Sequence, residues 1–528
     1  MYDESPSPKS DPIDSVLKDF DRANTLRDPW LSMWQDCYDY AIPSRGEGFY
    51  TTNPGESRTD KLYDETAVVS LQEFASRMQA GLVPNFTRWA ILEAGSEVQP
   101  ERADEINSQL EEVTKYVFDV IYNSNFAQEA HECFLDLGIG TGGLLVEEGN
   151  VDHPVKFTAI PLTQLVLSSG PMDMVDKVFR QRKMKGEDIL PTWRNAKLPD
   201  AMKREIRDDP RREYTIVEAT CRDWDNVGDE VHNHFVICKE HKLLLHKAEY
   251  KGTGSNPWVV FRWSKCAGET YGRGPLLNSL AAIRTVNAVV ELVLRNADMA
   301  ISGMWQVEDD GVINVDAIQL VPGTVIPYGH DSRGLTPLQS GGSFDVSQLV
   351  LNDMRANIKK ALYDEMLGPL DKTPMSATEV HARMADMSRR VGASFGRLQY
   401  EFVQPVIKRV VHILRKQGRI KLPLIDGRAI RIQATSPLSR SQNFEDVTAI
   451  DRWLEILMGR FGPQMMLAFV KAEEIGTDMA SMLGVPTKYV RNTLERQQLA
   501  QQVAQMAGTA GDAGADPVAM IAQALPQS

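Results

Sequence analysis

Between Leu276 and Ile301 the apolar residues Leu276, Leu280, Ile283, Val286, Val290, Val293, Ala297 and Ile301 advance by steps of three or four. That spacing puts one continuous apolar stripe on an α-helix about 40 Å long, at ~1.5 Å per residue. A β-branched insert of modest size follows, with strands expected over Met304–Val307, Ile318–Leu320 and Thr324–Pro327. A second amphipathic helix is expected over Val346–Leu367. Two helices of similar length joined by a small β module predict an antiparallel pair with the module at one tip. Immediately afterwards Gly368, Pro369 and Pro374 bar regular structure from Leu367–Met375. Ser376-Ala377-Thr378-Glu379 then has the form of a capping box, opening a helix expected to run to about Lys416.

The chain on either side reads as mixed α+β. Upstream, Trp30, Trp34, Tyr38 and Ile42 recur every four residues, and helices are predicted over Glu65–Leu82 and Glu101–Tyr122. Short β-branched or aromatic runs predict strands at Leu144–Glu147, Lys156–Ile160, Leu165–Ser168, Val175–Lys183, Tyr214–Arg222, His232–Cys238, Leu243–His246 and Trp258–Trp263. One helix over Asp188–Ile206 is expected to interrupt them. Downstream, Asp426-Gly427 between Leu422–Leu424 and Ala429–Gln433 signals a hairpin. Thr448–Leu499 reads helical with breaks at Gly462-Pro463 and Gly484-Val485-Pro486, and no internal repeat is found.

Composition narrows the function classes. With 58 basic and 72 acidic residues the chain carries −14, whereas a protein that grips duplex DNA through its phosphates shows a basic footprint. Any contact with DNA is therefore expected to be loose. The five cysteines (Cys37, Cys133, Cys221, Cys238, Cys266) are scattered and never spaced C-x-x-C, so neither a disulfide framework nor a zinc ribbon is predicted. No apolar run approaches the roughly 20 residues of a spanning helix. The acidic, polar start is unlike a secretory signal, and synthesis in a reducing cytoplasm is the expectation.

Leu135–Gly143 carries Gly138, Gly140, Gly142 and Gly143 and looks like the glycine-rich loop of S-adenosylmethionine-dependent methyltransferases. That loop lies after a strand and before a helix; here helical sequence precedes the glycines and a strand follows, so a helix-to-sheet turn is favoured. His232 and His234 share a strand face and could start a metal site with Cys238, His241 and His246, but no familiar ligand pattern is completed. G-x-x-x-x-G-K-[ST] and G-x-S-x-G are absent. No enzyme, metal or cofactor is predicted.

Several fragments, in order, resemble the portal, or head-to-tail connector, family of short-tailed bacteriophages. They are Arg58-x-x-Lys61-Leu62-Tyr63-Asp64-x-Thr66-Ala67, Ala80-Gly81-Leu82-Val83-Pro84 with Trp89, and Phe157-x-x-Ile160-Pro161-Leu162. Gly272-Arg273-Gly274-Pro275, Met375-Ser376-Ala377-Thr378-Glu379-Val380 and Glu401-Phe402-Val403-Gln404-Pro405 complete the set. The resemblance spans roughly residues 13–500 and implies a dodecameric ring around a DNA channel at one capsid vertex of the virion. Its implied partners are further copies of the chain, the terminase large subunit, a tail adaptor protein, the capsid or scaffolding protein, and double-stranded DNA passing without sequence specificity; no membrane is involved.

The same resemblance implies a division into an N-terminal wing (1–274), stem helices (275–301 and 346–367), a clip (302–345) and a channel loop (368–375). A wing helix and hairpin (376–433), a helical crown (434–499) and a C-terminal barrel or flexible tail (500–528) follow. Candidate channel residues are Leu370, Asp371, Lys372 and Thr373 in the loop and Arg355, Lys359 and Lys360 on the second stem helix; Asp309, Asp310, Val312 and Asp316 are candidates for docking at the clip. An acidic channel with a few basic rings would keep DNA centred and mobile. For each cation the alternative is a solvated or ion-paired residue.

Overall fold

The computed structural model describes residues 12–45, 60–95, 98, 100–171, 173–226, 230–302, 305–306, 336–337, 344–364, 392, 394–423 and 430–483. They fall into two compact units. One comprises Met1–Asp28, Ala75–Gly274 and Leu367–Ser528, the other Pro29–Phe74 and Pro275–Met366.

In the first unit a five-stranded antiparallel meander contains β4 (Leu165–Ser169), β5 (Val175–Lys185), β6 (Glu213–Asp223), β7 (Val231–Cys238) and β8 (Leu243–Lys251), hydrogen-bonded in chain order. Alternation along β6 sends Val217 and Ala219 to one face and Tyr214 and Ile216 to the other, and both faces are covered. Val16, Leu17, Phe20 and Ala23, at helical spacing on α1 (Pro12–Ala41), pack against Phe179, Val217 and Ala219. On the opposite face Ile189 and Met202 pack against Tyr214, Ile216 and Val236.

Those two residues sit on separate helices, α5 (Gly186–Thr192) and α6 (Asp200–Asp208). The single helix expected over Asp188–Ile206 is thereby corrected. Pro199 supplies no N–H and drives Leu198 out of the helical region, so the segment has to restart at Asp200.

A three-stranded sheet, order β3 (Val155–Ile160), β2 (Thr141–Glu148), β9 (Trp258–Arg262), packs under α4 (Phe126–Ile139). Its core is aromatic. Phe402 lies 4.5 Å from Phe261 and 5.4 Å from Phe134, and Phe126 lies 5.0 Å from Phe157, measured between ring centroids. Phe402 arrives on a π-helical turn, Gln399–Val403, just before α9 (Gln404–Lys416). Pro405 has no N–H to return to the carbonyl of Glu401, which is the local reason for the irregular turn.

The expected hairpin is a second correction. Strand β12 (Ile430–Ala434) pairs antiparallel with β1 (Ala90–Ala94), Ala434 opposite Ala90, and not with Leu422 or Pro423, the described part of the neighbouring run. The long-range partner wins because α3 (Pro100–Tyr122) has already fixed β1: Asn107 accepts from the amide of Ala94 and the Thr114 hydroxyl from that of Leu92. Asp426-Gly427 lies outside the described residues. The last helices among the described residues are α10 (Pro437–Phe469), broken at Gly462 with φ 75°, and α11 (Ala472–Leu483); the rest of the helical stretch expected to Leu499 lies outside them.

The second unit contains the later part of α1, the start of α2 (Thr66–Leu82), and the paired helices α7 (Pro275–Ser302) and α8 (Phe344–Ala361). Between the pair, β10 (Trp305–Gln306) and β11 (Thr336–Pro337) join antiparallel. The other expected insert strands lie outside the described residues. On α7 the stripe is buried from Leu276 to Val286, whereas Leu292 and Leu294 beyond it are exposed. Helix α8 turns at Leu362 and stops short of the expected Leu367.

Contrary to the expectation from run length, Pro275–Asp298 is long and apolar enough, by length and composition, to cross a membrane. Polar residues interrupt the run without lowering its mean hydropathy enough. Two of them have protein partners: Arg284 pairs with Asp36, and the buried Asn287 makes three hydrogen bonds.

Candidate functional site

The paired helices and the segment that straps them form the best-defined polar site of the second unit. Asn287, buried on α7, accepts from the amides of Tyr63 (2.9 Å) and Asp64 (3.0 Å) and donates to the carbonyl of Ile283 (3.0 Å). The buried Asp64 carboxylate accepts from the Thr66 amide at the start of α2 (3.0 Å) and from Nε and Nη2 of Arg355 on α8 (2.7 and 2.6 Å). Burial alone would raise the Asp64 carboxyl; the hydrogen bonds from Thr66 and Arg355 outweigh it and hold the group below the usual carboxylate range. Farther along, Ser70 Oγ donates to Asp364 (2.9 Å), and the Phe74 ring lies 6.4 Å from that of Tyr363. Residues 60–74 therefore tie α7 to α8 by hydrogen bonds and an ion pair.

This arrangement sorts the candidate cations. Arg355 is committed to Asp64 within the chain, whereas Lys359 and Lys360, one turn on, are exposed and pair with no carboxylate among the described residues. Leu370, Asp371, Lys372 and Thr373 lie outside the described residues, as do Asp309, Asp310, Val312 and Asp316. The structure thus adds Asp64, Asn287, Ser70 and Asp364 to the residues named from sequence. Asp64 was visible in the Lys61-Leu62-Tyr63-Asp64 motif, but nothing local pointed to partners more than 200 residues away.

The glycine loop has a structural task in the first unit. Helix α4 ends at Gly140 (φ 153°) and β2 begins at Thr141, in the order that the sequence favoured. The segment Gly272-Arg273-Gly274 lies against this turn: the Gly274 amide donates to Ile139 (2.7 Å), the Gly272 amide to Thr141 Oγ1 (2.8 Å), and the Trp263 amide to Gly140 (3.0 Å). A Cβ on Gly272 would lie 2.2 Å from the Gly140 carbonyl oxygen, and one on Gly274 would lie 2.1 Å from that of Gly138. Backbone fills the space where a cofactor would have to sit, which overturns the methyltransferase reading. The Glu401 motif is explained as well: its carboxylate accepts from the amide, Nε and Nη2 of Arg262 (2.9, 3.2 and 2.7 Å).

His234 and His241 find separate partners. His234 shares a hydrogen bond with Thr220 Oγ1 (2.9 Å), and burial pushes its imidazole down to about 4. His241 pairs with Glu205 at 3.2 Å. Among the described residues no cluster of three or more His, Cys, Asp or Glu could hold a metal ion.

A family model described as "Bacteriophage head to tail connecting protein" matches residues 14–490. The "Probable portal protein" of Bordetella phage BPP-1 is 21% identical over 527 residues, covering 93% of this chain and 92% of its own. The "Portal protein" of Escherichia phage T7 is 19% identical over 552 residues (97% and 96% covered), and that of Enterobacteria phage T3 is 20% identical over 525 (96% and 94%). A chain of a solved native gene transfer agent virion aligns over 80% of this chain and 91% of its own at 12% identity, with a TM-score of 0.34, too low to carry a fold comparison.

Proposed function

The chain belongs to the bacteriophage head-to-tail connecting protein family, homologous to phage portal proteins, and from that premise we propose that copies of it form a dodecameric ring around a DNA channel. In this reading α7 and α8 are the stem, residues 302–345 the clip, 368–375 the channel loop and 434–499 the crown. The observation that carries it is the helix, β pair, helix series, strapped together by residues 60–74.

The chemistry is passive. The protein carries net charge −14, 72 acidic against 58 basic residues, so its overall field does not favour holding phosphates and braking moving DNA. Lys359 and Lys360, exposed and adjacent on α8, suit a weak basic ring; Arg355, spent on Asp64, contributes to stem rigidity instead. Lys372 would supply a second basic position in the loop. Work on the DNA would come from a separate terminase ATPase docking at the clip through Asp309, Asp310, Val312 and Asp316, with a tail adaptor taking that place later. The virion vertex is where such a ring would act.

Single-particle electron microscopy of the purified protein tests the assembly. Rings with a central hole are the expected result; a monomer under every assembly condition would sink the proposal. Phage carrying Lys359→Glu and Lys360→Glu should form rings but package or retain DNA poorly, and unchanged packaging would remove these lysines from the channel.

A further inference from the structure

Helix α8 ends in a way its sequence does not call for. The amide of Asp364 bonds to the carbonyl of Lys359 (2.8 Å) and that of Tyr363 to Lys360 (3.2 Å), with Tyr363 at φ 57°. This is the Schellman pattern of a helix stop, whose left-handed position is usually glycine. Helix α9 ends through the same pair of bonds, Arg419 to Leu414 and Gly418 to Arg415, with glycine (Gly418, φ 70°) at that position. A bulky residue with positive φ is a genuine outlier, and strain of that kind persists only where its surroundings over-determine it.

Part of those surroundings is on α2. Buried Ser70 donates to the Asp364 carboxylate, and the ring of Phe74, wholly buried, packs beside that of Tyr363. The sequence beyond offers no stop of its own before Gly368-Pro369, because Glu365, Met366 and Leu367 are good helix formers. The apolar periodicity also continues to Leu367. Left-handed placement of a residue with a Cβ tilts the local balance toward continued helix by roughly 5- to 30-fold.

We propose that the end of α8 is a latched helix stop: contacts of Asp364 with Ser70 and of Tyr363 with Phe74 hold the chain turned at Tyr363, and their release lets α8 continue through Asp364. Continuing through Leu362–Asp364 carries the chain about 4.5 Å along the helix axis instead of turning it away. The direction in which the chain leaves α8 is then set by α2. If 368–375 is the channel loop, which rests on the reading above, the latch governs how that loop is presented.

The test is amide hydrogen exchange on the full-length protein, followed by mass spectrometry over residues 358–367. Ser70→Ala removes the latch bond, and Asp364→Ala removes it from the other side. Both should slow exchange at 363–367 by roughly 5- to 30-fold as the helix continues. Adding Tyr363→Gly to either variant should abolish that slowing, because glycine accepts the left-handed stop without strain and weakens a continued helix. Exchange that stays the same or speeds up in both single variants would mean a stop or a frayed end rather than a latch, and would overturn the proposal. DNA packaging by phage carrying Ser70→Ala is read separately: slowed exchange with normal packaging would preserve the latch and count against the channel role of the loop.

Discussion

Replacing Arg355 by methionine tests whether that cation is committed to Asp64 within the chain. The substitution keeps most of the side-chain length and removes two hydrogen bonds, of 2.7 and 2.6 Å, to the buried Asp64 carboxylate. Hydrogen bonds to charged groups contribute about 1.5–3 kcal/mol, and breaking a fully buried ion pair costs about 3–5 kcal/mol. The Arg355 side chain is 38% exposed and Asp64 keeps its bond from the Thr66 amide, so about 2 kcal/mol is the working figure. That corresponds to roughly thirtyfold faster amide exchange where α2 starts and along α8, if exchange there proceeds through local opening. Lys359→Met, which breaks no bond to a described residue, should stay within about 0.5 kcal/mol of the parent. The pH dependence has a definite sign. Asp64 titrates below its ordinary value when folded, so its contribution is present above the unfolded value near ~3.9 and is lost as pH falls through the lower folded value. Arg355→Met should flatten that acid limb. Exchange of Arg355→Met matching the parent, or a Lys359→Met variant equally disturbed, would refute the assignment of Arg355 to the strap.

Gly272→Ala drives a methyl group into the Gly140 carbonyl and should destabilise the first unit by about 3 kcal/mol or more, seen as a lower denaturant midpoint, whereas Gly252→Ala, with nothing within 4 Å and φ 95°, should cost only its backbone strain. His234 is buried neutral with a folded value of about 4 against 6.5 for the free group. The unfolded chain therefore takes up a proton that the folded one refuses as pH drops from 6.5 toward 4. Its share of the stability should fall over that window by up to about 3 kcal/mol, and His234→Gln should reduce the slope in denaturation measured between pH 4 and 7, leaving the part due to His232 and His412, which burial lowers too. Cys266 is the exposed thiol and should be alkylated first, while burial raises the Cys37 thiol and should leave it unreacted until unfolding; mass spectrometry after a limiting dose of iodoacetamide distinguishes them.

Much of this protein can be read locally. Three- and four-residue apolar steps define α7 almost to its ends, and short β-branched and aromatic runs place β4 to β8, because the helix period and the strand preference of such side chains are local properties of the chain. The glycines at 138–143 were legible as a helix-to-strand turn for the same reason. What the sequence left undetermined are pairings across long separations. Ile430–Ala434 passed over its neighbouring run for a strand 340 residues away, Arg355 reaches back to Asp64, and the glycines of 272–274 matter only because 138–140 approach them. Such contacts depend on which surfaces meet once the elements have formed, and the entropy of closing a long loop grows only slowly with its length, so no local pattern announces them. The end of α8 shows the division most clearly: its sequence continues a helix to Leu367, and two side chains on α2, Ser70 and Phe74, bring it to a stop at Tyr363.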